Sequence, residues 1–243
     1  MSPGAGVRTA ARSVAGAAGA TAVAQSLPAL TSIAPLRRAL LPRLSGRSSR
    51  HHIALSFDDG PDRLSTPHFL DLLADRGVQA TFFLLGSYAV HERALVRDLV
   101  DAGHEVAVHG WTHTCLAVVP PRRLADELTR TRALLEELSG APVQWYRPPY
   151  GVQTAAGVWG ARRAGLRTVL WSAWGVDWAA GATPSTIVDR VTRAVRPGGT
   201  VLLHDTDRTS APDSWRRTLL ATATLLDRWR EDGIPVGTLR EHW

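Results

Sequence analysis

From Ile53 onward the chain alternates short β-rich apolar runs with longer stretches whose apolar residues recur at helical spacing. The runs predict strands over 53–57, 80–84, 105–108, 144–147, 166–171, 200–203 and 236–239. The longer stretches predict helices over 66–76, 91–102, 121–138, 154–164, 184–196 and 213–231. The third of these shows an apolar face at Leu124, Leu128, Leu134, Leu135 and Leu138. Seven strands separated by helices imply parallel pairing, in an open doubly wound sheet or a closed barrel. No internal repeat and no second domain interrupts this pattern.

Residues 1–50 read differently, being rich in Ala, Gly, Ser and Arg. A weakly apolar segment, 13–24, ends in Ala22-Val23-Ala24, the small-residue pattern of a signal-peptidase site, with a loosely packed extension as the other reading. Leu30, Ile33, Leu36, Leu40 and Leu44 then recur at helical spacing between arginines. Such a stripe packs on its own domain or makes peripheral contact with a membrane surface. The expected division is an extension over 1–50 and one α/β domain over 51–243. No run reaches the length of a membrane-spanning helix.

Charge sharpens that division. The formal net charge is +6, and all 28 basic residues are arginine. Seven arginines and no acid fall within residues 1–50, which leaves 21 arginines against 22 acids beyond. A nearly neutral body argues against a nucleic-acid groove. Cys115 is the single cysteine, so the chain holds no internal disulfide and no cysteine-based zinc knuckle.

The polar residues that stand out share a position. Asp58-Asp59, His109-Gly-Trp-Thr-His113, Arg147-Pro-Pro-Tyr150, Asp177-Trp178 and His204-Asp205 each fall at or just after the end of a predicted strand. In a parallel barrel those ends share one rim, where such folds build their sites. Two adjacent carboxylates repel unless a cation or donor separates their roles, and a metal on one would leave the other as a base. His109 and His113, four apart, with Asp59 form a His-His-Asp set that leaves positions free for water and substrate. A metalloprotease helix would need Glu after the first histidine, where Gly110 stands. His51, His52, His68, His91, His104 and His242 lack comparable partners in sequence and are assigned structural or exposed places.

In order, Ser-Phe-Asp58-Asp59-Gly-Pro, His109-x-x-x-His113, Arg147-x-Pro-Tyr150, Asp177-Trp178 and Leu203-His204-Asp resemble the five motifs of the polysaccharide deacetylases, the NodB-homology or carbohydrate esterase family 4 proteins. The likeness spans roughly residues 50–240. It implies a distorted (β/α) barrel with about seven parallel strands and metal-dependent removal of acetyl groups from an N-acetylglucosamine-containing glycan, peptidoglycan or chitin-like. An O-acetyl esterase acting on xylan is the neighbouring activity, and a glycan-binding pseudoenzyme is the alternative from another class. Carried over by position, the resemblance makes Asp59, His109 and His113 ligands of a divalent metal, zinc or else cobalt. It makes Asp58 the general base, His204 the acid, Asp177 the partner of His204 and Arg147 the partner of Asp58. The Tyr150 backbone N–H would face the oxyanion, while Trp178 and Leu203 would line the acetyl pocket. Work on cell-wall glycans implies an extracellular or envelope location, with a cytoplasmic one the alternative. Two positions depart from the family pattern: Trp174 stands where an additional Asp is common, and Gly110-Trp111 where a hydroxyl residue often follows the first histidine. Trp111, Trp174 and Trp178 are therefore candidates for stacking on sugar rings.

Overall fold

The structure is a computed structural model that describes residues 30, 31 and 33–243; the expected processing site at Ala22-Val23-Ala24 lies outside the described residues. In chain order the elements are α1 (Ala34–Leu40), β1 (Ile53–Asp58), α2 (Thr66–Arg76), β2 (Thr81–Leu85), a short α3 (Gly86–Ala89), α4 (Arg93–Asp101) and β3 (Glu105–Gly110). Then follow α5 (Pro121–Ser139), β4 (Trp145–Tyr146), α6 (Ala155–Arg163), β5 (Arg167–Thr168), β6 (Ala173–Trp174), α7 (Pro184–Ala194), β7 (Thr200–His204), α8 (Ser214–Glu231) and β8 (Val236–Gly237). The ladder runs β5-β4-β3-β2-β1-β7-β6, with β8 beside the start of β1, and every pairing is parallel. The expected α/β distorted barrel is what forms.

The barrel is closed by a crossing chain rather than by a ladder. The run 166–171, which predicts one strand, supplies only β5, and the chain then leaves for the opposite edge of the sheet. Val169 N donates to Tyr146 O at 2.9 Å and Ser172 N to Thr200 O at 3.0 Å, so residues 169–172 span the seam between β5 and β6.

Alternation along β1 decides what faces the site. The whole strand is buried. Ile53, Leu55 and Phe57 point to the helices and join Phe69, Leu73, Phe82 and Leu84 in the larger core. Ala54 points inward with Phe83, Ala107, Trp145, Val169 and Leu239. Period two therefore carries Ser56 and Asp58 into the barrel interior. Outside, α5 buries Leu124, Leu128, Leu135 and Leu138, starts at Pro121 and stops at Gly140 in the left-handed conformation. Leu134, expected on that face, is only partly buried.

The N-terminal segment is tied to this body. Leu170 N donates to Leu44 O at 2.7 Å, Ser48 N to Gly198 O at 2.8 Å, and Thr200 Oγ1 to Gly46 O at 2.7 Å. A Cβ on Gly46, at φ 64°, would sit 2.4 Å from Thr200 Oγ1, so the close approach requires glycine. Of the two expected fates of the leucine stripe, packing on the domain is met only in part, by the half-buried Leu44. Leu30, Ile33, Leu36 and Leu40 are exposed, and Arg37 is the buried residue of α1. No described helix is long and apolar enough to cross a membrane.

Candidate active site

β1 delivers two carboxylates in different directions. Asp58 follows the alternation inward, whereas Asp59, at φ 78°, leaves the strand in a left-handed conformation that turns it toward the end of β3. There His109 donates from Nδ1 to the Arg147 carbonyl at 2.9 Å, because a carbonyl can only accept. Its Nε2 is thereby left unprotonated in the neutral ring and stands 3.1 Å from Asp59 Oδ1. Gly110, at φ 131°, turns the chain so that His113 Nε2 comes within 3.4 Å of the same oxygen. One ligand-capable atom from each of Asp59, His109 and His113 lies within 4.8 Å of the others.

The fit to a cation rests on Asp59. Its Oδ1 is buried and makes no aligned hydrogen bond among the described residues, although two imidazole nitrogens face it. A carboxylate oxygen so placed is costly without a partner, and an O, N, N donor set suits a divalent cation. Burial works against ionised Asp59, but the facing imidazoles, His109 first and then His204 and His113, outweigh it and hold the carboxyl below the usual range. Burial lowers the His113 pKa, which favours the neutral ring that ligation needs.

Asp58 has a different partner. Arg147 Nη1 donates to its Oδ1 at 2.6 Å and to Ser56 Oγ at 3.0 Å, while Nη2 donates to Leu170 O at 3.1 Å. The guanidinium carbon lies 3.9 Å from the Phe83 ring centroid, on top of the interior apolar layer. Asp58 Oδ2 is free of the guanidinium and lies 3.9 Å from His109 Nδ1.

Across Asp59 stands the end of β7. His204 Nε2 is 3.8 Å from Asp59 Oδ2, and His204 Nδ1 is 3.1 Å from Asp177 Oδ1. Asp177 Oδ2 also accepts from the His204 backbone at 2.8 Å and from Thr218 Oγ1 at 3.0 Å. Burial alone would suppress the His204 charge; Asp177, by charge and hydrogen bond, and then Asp59 reverse this and raise the group to about 10. Val176, just before Asp177, holds φ 55°, a strained conformation for a β-branched residue.

The aromatic and loop residues complete a cavity of about 300 Å³. Trp171, Trp174 and Trp178 form a row with ring centroids 5.6 and 4.7 Å apart, and Tyr150 packs on His113 at 4.4 Å. Leu202, not Leu203, lines the wall. β7 alternates like β1, so Leu203 faces the helices and the large core while Leu202 and His204 face inward. Trp111 is not among the lining residues either; Arg130 covers its ring at 3.6 Å and Gly86 backs it. The motifs also do not reveal Thr209, whose hydroxyl donates to Asp59 Oδ2 from the loop after β7. That loop is pinned when Thr206 Oγ1 donates to Asp62 Oδ2 at 2.8 Å and Arg208 pairs with the same carboxylate at 3.1 Å. Ser56 was findable, two residues before Asp58 on one face; Thr209 carries no pattern.

The family model described as polysaccharide deacetylase matches residues 45–169. A chitooligosaccharide deacetylase of Bradyrhizobium sp. (strain ANU 289) is 41% identical over 159 residues, covering 65% of this chain and 72% of the relative. The chain belongs to the polysaccharide deacetylase family. Among solved structures, a peptidoglycan N-acetylglucosamine deacetylase in complex with a benzamide ligand superposes with a TM-score of 0.74 at 29% identity, over 82% of this chain and 91% of that one. A pseudoenzyme of carbohydrate esterase family 4 from Bacillus anthracis reaches 0.71 at 27% identity, over 80% and 66%. As a polysaccharide deacetylase the protein is a hydrolase, and the Asp-His-His cluster is where this chain could hold the family's metal.

Proposed function

We propose that this deacetylase hydrolyses the N-acetyl amide of an N-acetylglucosamine-containing glycan, either peptidoglycan or a chitin-like oligosaccharide, using zinc held by Asp59, His109 and His113. The observation that carries the reading is the arrangement around Asp59: two imidazoles face one oxygen, and a charged histidine faces the other. A divalent cation in that position supplies Lewis acidity toward water and the acetyl carbonyl.

The protein groups divide the proton work. Arg147 occupies Asp58 Oδ1, which leaves Oδ2 to take a proton from the attacking water. His204, kept charged by Asp177, gives a proton to the departing amine nitrogen. The backbone N–H of Tyr150 stabilises the developing oxyanion, with Trp178 and Leu202 around the acetyl methyl. Trp174, 40% exposed at the rim, offers a flat apolar face to a neighbouring sugar ring. Relatives named for chitooligosaccharides and for peptidoglycan support the substrate class. A peptidoglycan substrate supports an extracellular or envelope location, with a cytoplasmic one the alternative, and recovery of mature protein beginning after Ala24 from the cell envelope would test it.

Acetate release from chitooligosaccharides, peptidoglycan and acetylxylan, with and without chelator, tests the reading. Chelator-sensitive release from an N-acetylated glycan supports it. Release from acetylxylan alone makes the protein an O-acetyl esterase. Sugar binding without acetate release after zinc or cobalt loading makes it a glycan-binding protein.

A further inference from the structure

The surface around α1 is built against the usual rule. A helix on a globular domain turns its apolar stripe inward and leaves arginine in water. Here Arg37 is 3% exposed and donates to Ser45 Oγ, Thr31 O and Trp171 O. Leu30, Ile33, Leu36, Leu40 and Leu41 are instead all exposed. Those buried arginine bonds anchor the helix, so the outward row of apolar side chains is part of the folded arrangement.

α6 extends the same face. Leu41 and Leu44 border a groove of about 390 Å³ whose other wall is Val158, Ala161 and Leu166, with Arg162 and Arg167 also lining it. Trp159 is exposed on α6, with the Arg163 guanidinium 5.7 Å from its ring centroid. The charge is of one sign. Neither 30–57 nor 138–176 contains an Asp or Glu. Arg43, Arg47, Arg50, Arg162, Arg163 and Arg167 are exposed, and among the described residues none of them pairs with a carboxylate.

We propose that this face seats on an anionic lipid surface, with the leucines and Trp159 in the boundary between headgroups and acyl chains and the arginines on lipid phosphates. Exposed apolar side chains ringed by unpaired cations are what such a surface recognises. A polyanion such as nucleic acid would satisfy the arginines and leave the leucines wet. A second copy docked symmetrically would cover the leucines but set arginine against arginine. The inference rests on α1 and α6 and not on the hydrolytic reading.

Sedimentation of the full chain with phosphatidylcholine vesicles, with and without phosphatidylglycerol, tests it. Binding is expected only with the anionic lipid, and it weakens as salt rises. Leu36→Gln/Leu40→Gln and, separately, Arg162→Glu/Arg163→Glu should each reduce partitioning by roughly tenfold or more, with circular dichroism and acetate release unchanged. These substitutions are at exposed positions, so the fold survives them. No binding to anionic vesicles at low salt overturns the proposal, as does binding that neither pair affects. Self-association in the absence of lipid that the leucine pair abolishes, without vesicle binding, would assign the face to a second copy and overturn it equally.

Discussion

Arg147 Nη1 lies 2.6 Å from Asp58 Oδ1 inside the barrel, and both side chains are buried. Arg147 is thus an electrostatic counterpart and a brace, since it also holds Ser56 and the seam at Leu170. Arg147→Ala leaves a buried carboxylate without its cation and should cost about 3–5 kcal/mol in urea unfolding, with acetate release lost. Arg147→Lys keeps a charge but not the planar fork, and should fall between the two.

Metal retention and turnover separate the proposed base from the proposed ligands. Asp58→Asn should keep its metal content while turnover drops by about 10²–10⁴-fold. His113→Ala should lose both. Metal analysis of the purified variants decides, and full turnover in Asp58→Asn would remove that residue as base.

His204 carries its own pH signature. Its raised value, about 10 in the metal-free protein, contributes stability that is complete below the unfolded value near 6.5 and is lost as pH rises through 10. A divalent cation at Asp59 opposes that charge, so the apoprotein is the form to titrate. In Asp177→Asn the histidine should lose its proton at lower pH, visible in an NMR titration of the imidazole.

Acid should weaken the fold through His104. Burial lowers this group to about 4, and its Nδ1 accepts from Ala80 N at 3.2 Å, which requires the neutral ring. The unfolded chain takes up the proton first, so stability falls as pH drops from about 6.5 to 4, by at most about 1.4 kcal/mol per pH unit. His104→Gln should flatten that part of the stability profile.

Gly86 supports the histidine loop at a distance. A Cβ there would meet Trp111 Cε3 at 2.5 Å and Thr131 Oγ1 at 2.7 Å. Gly86→Ala should therefore displace Trp111, disturb the turn carrying His113, and weaken metal retention more than it lowers the melting temperature.

Much of this was legible because period and position coincide. β1, α2 and α5 announce themselves by alternation or helical spacing, and the site motifs fall at strand ends. What escaped depends on parity and on long-range contact. Choosing between Leu202 and Leu203 requires knowing which face of β7 looks inward. The run 166–171 continues past Thr168 into Val169, Leu170 and Trp171, all residues suited to a strand, so nothing local shows that pairing stops after Thr168. The outward leucines of α1 depend on Arg37 finding Trp171 O, a partner 134 residues away.

The crossing at 169–172 has an evolutionary consequence. It joins the two margins of the sheet through backbone bonds and carries Trp171 toward Trp174, while its one link to the polar residues of the site is the Leu170 carbonyl on Arg147, a bond that any residue at 170 can supply. Selection can thus remodel the side chains of this wall while the Asp-His-His cluster and the Asp58–Arg147 pair are inherited intact, which lets new specificities arise without reinventing the chemistry.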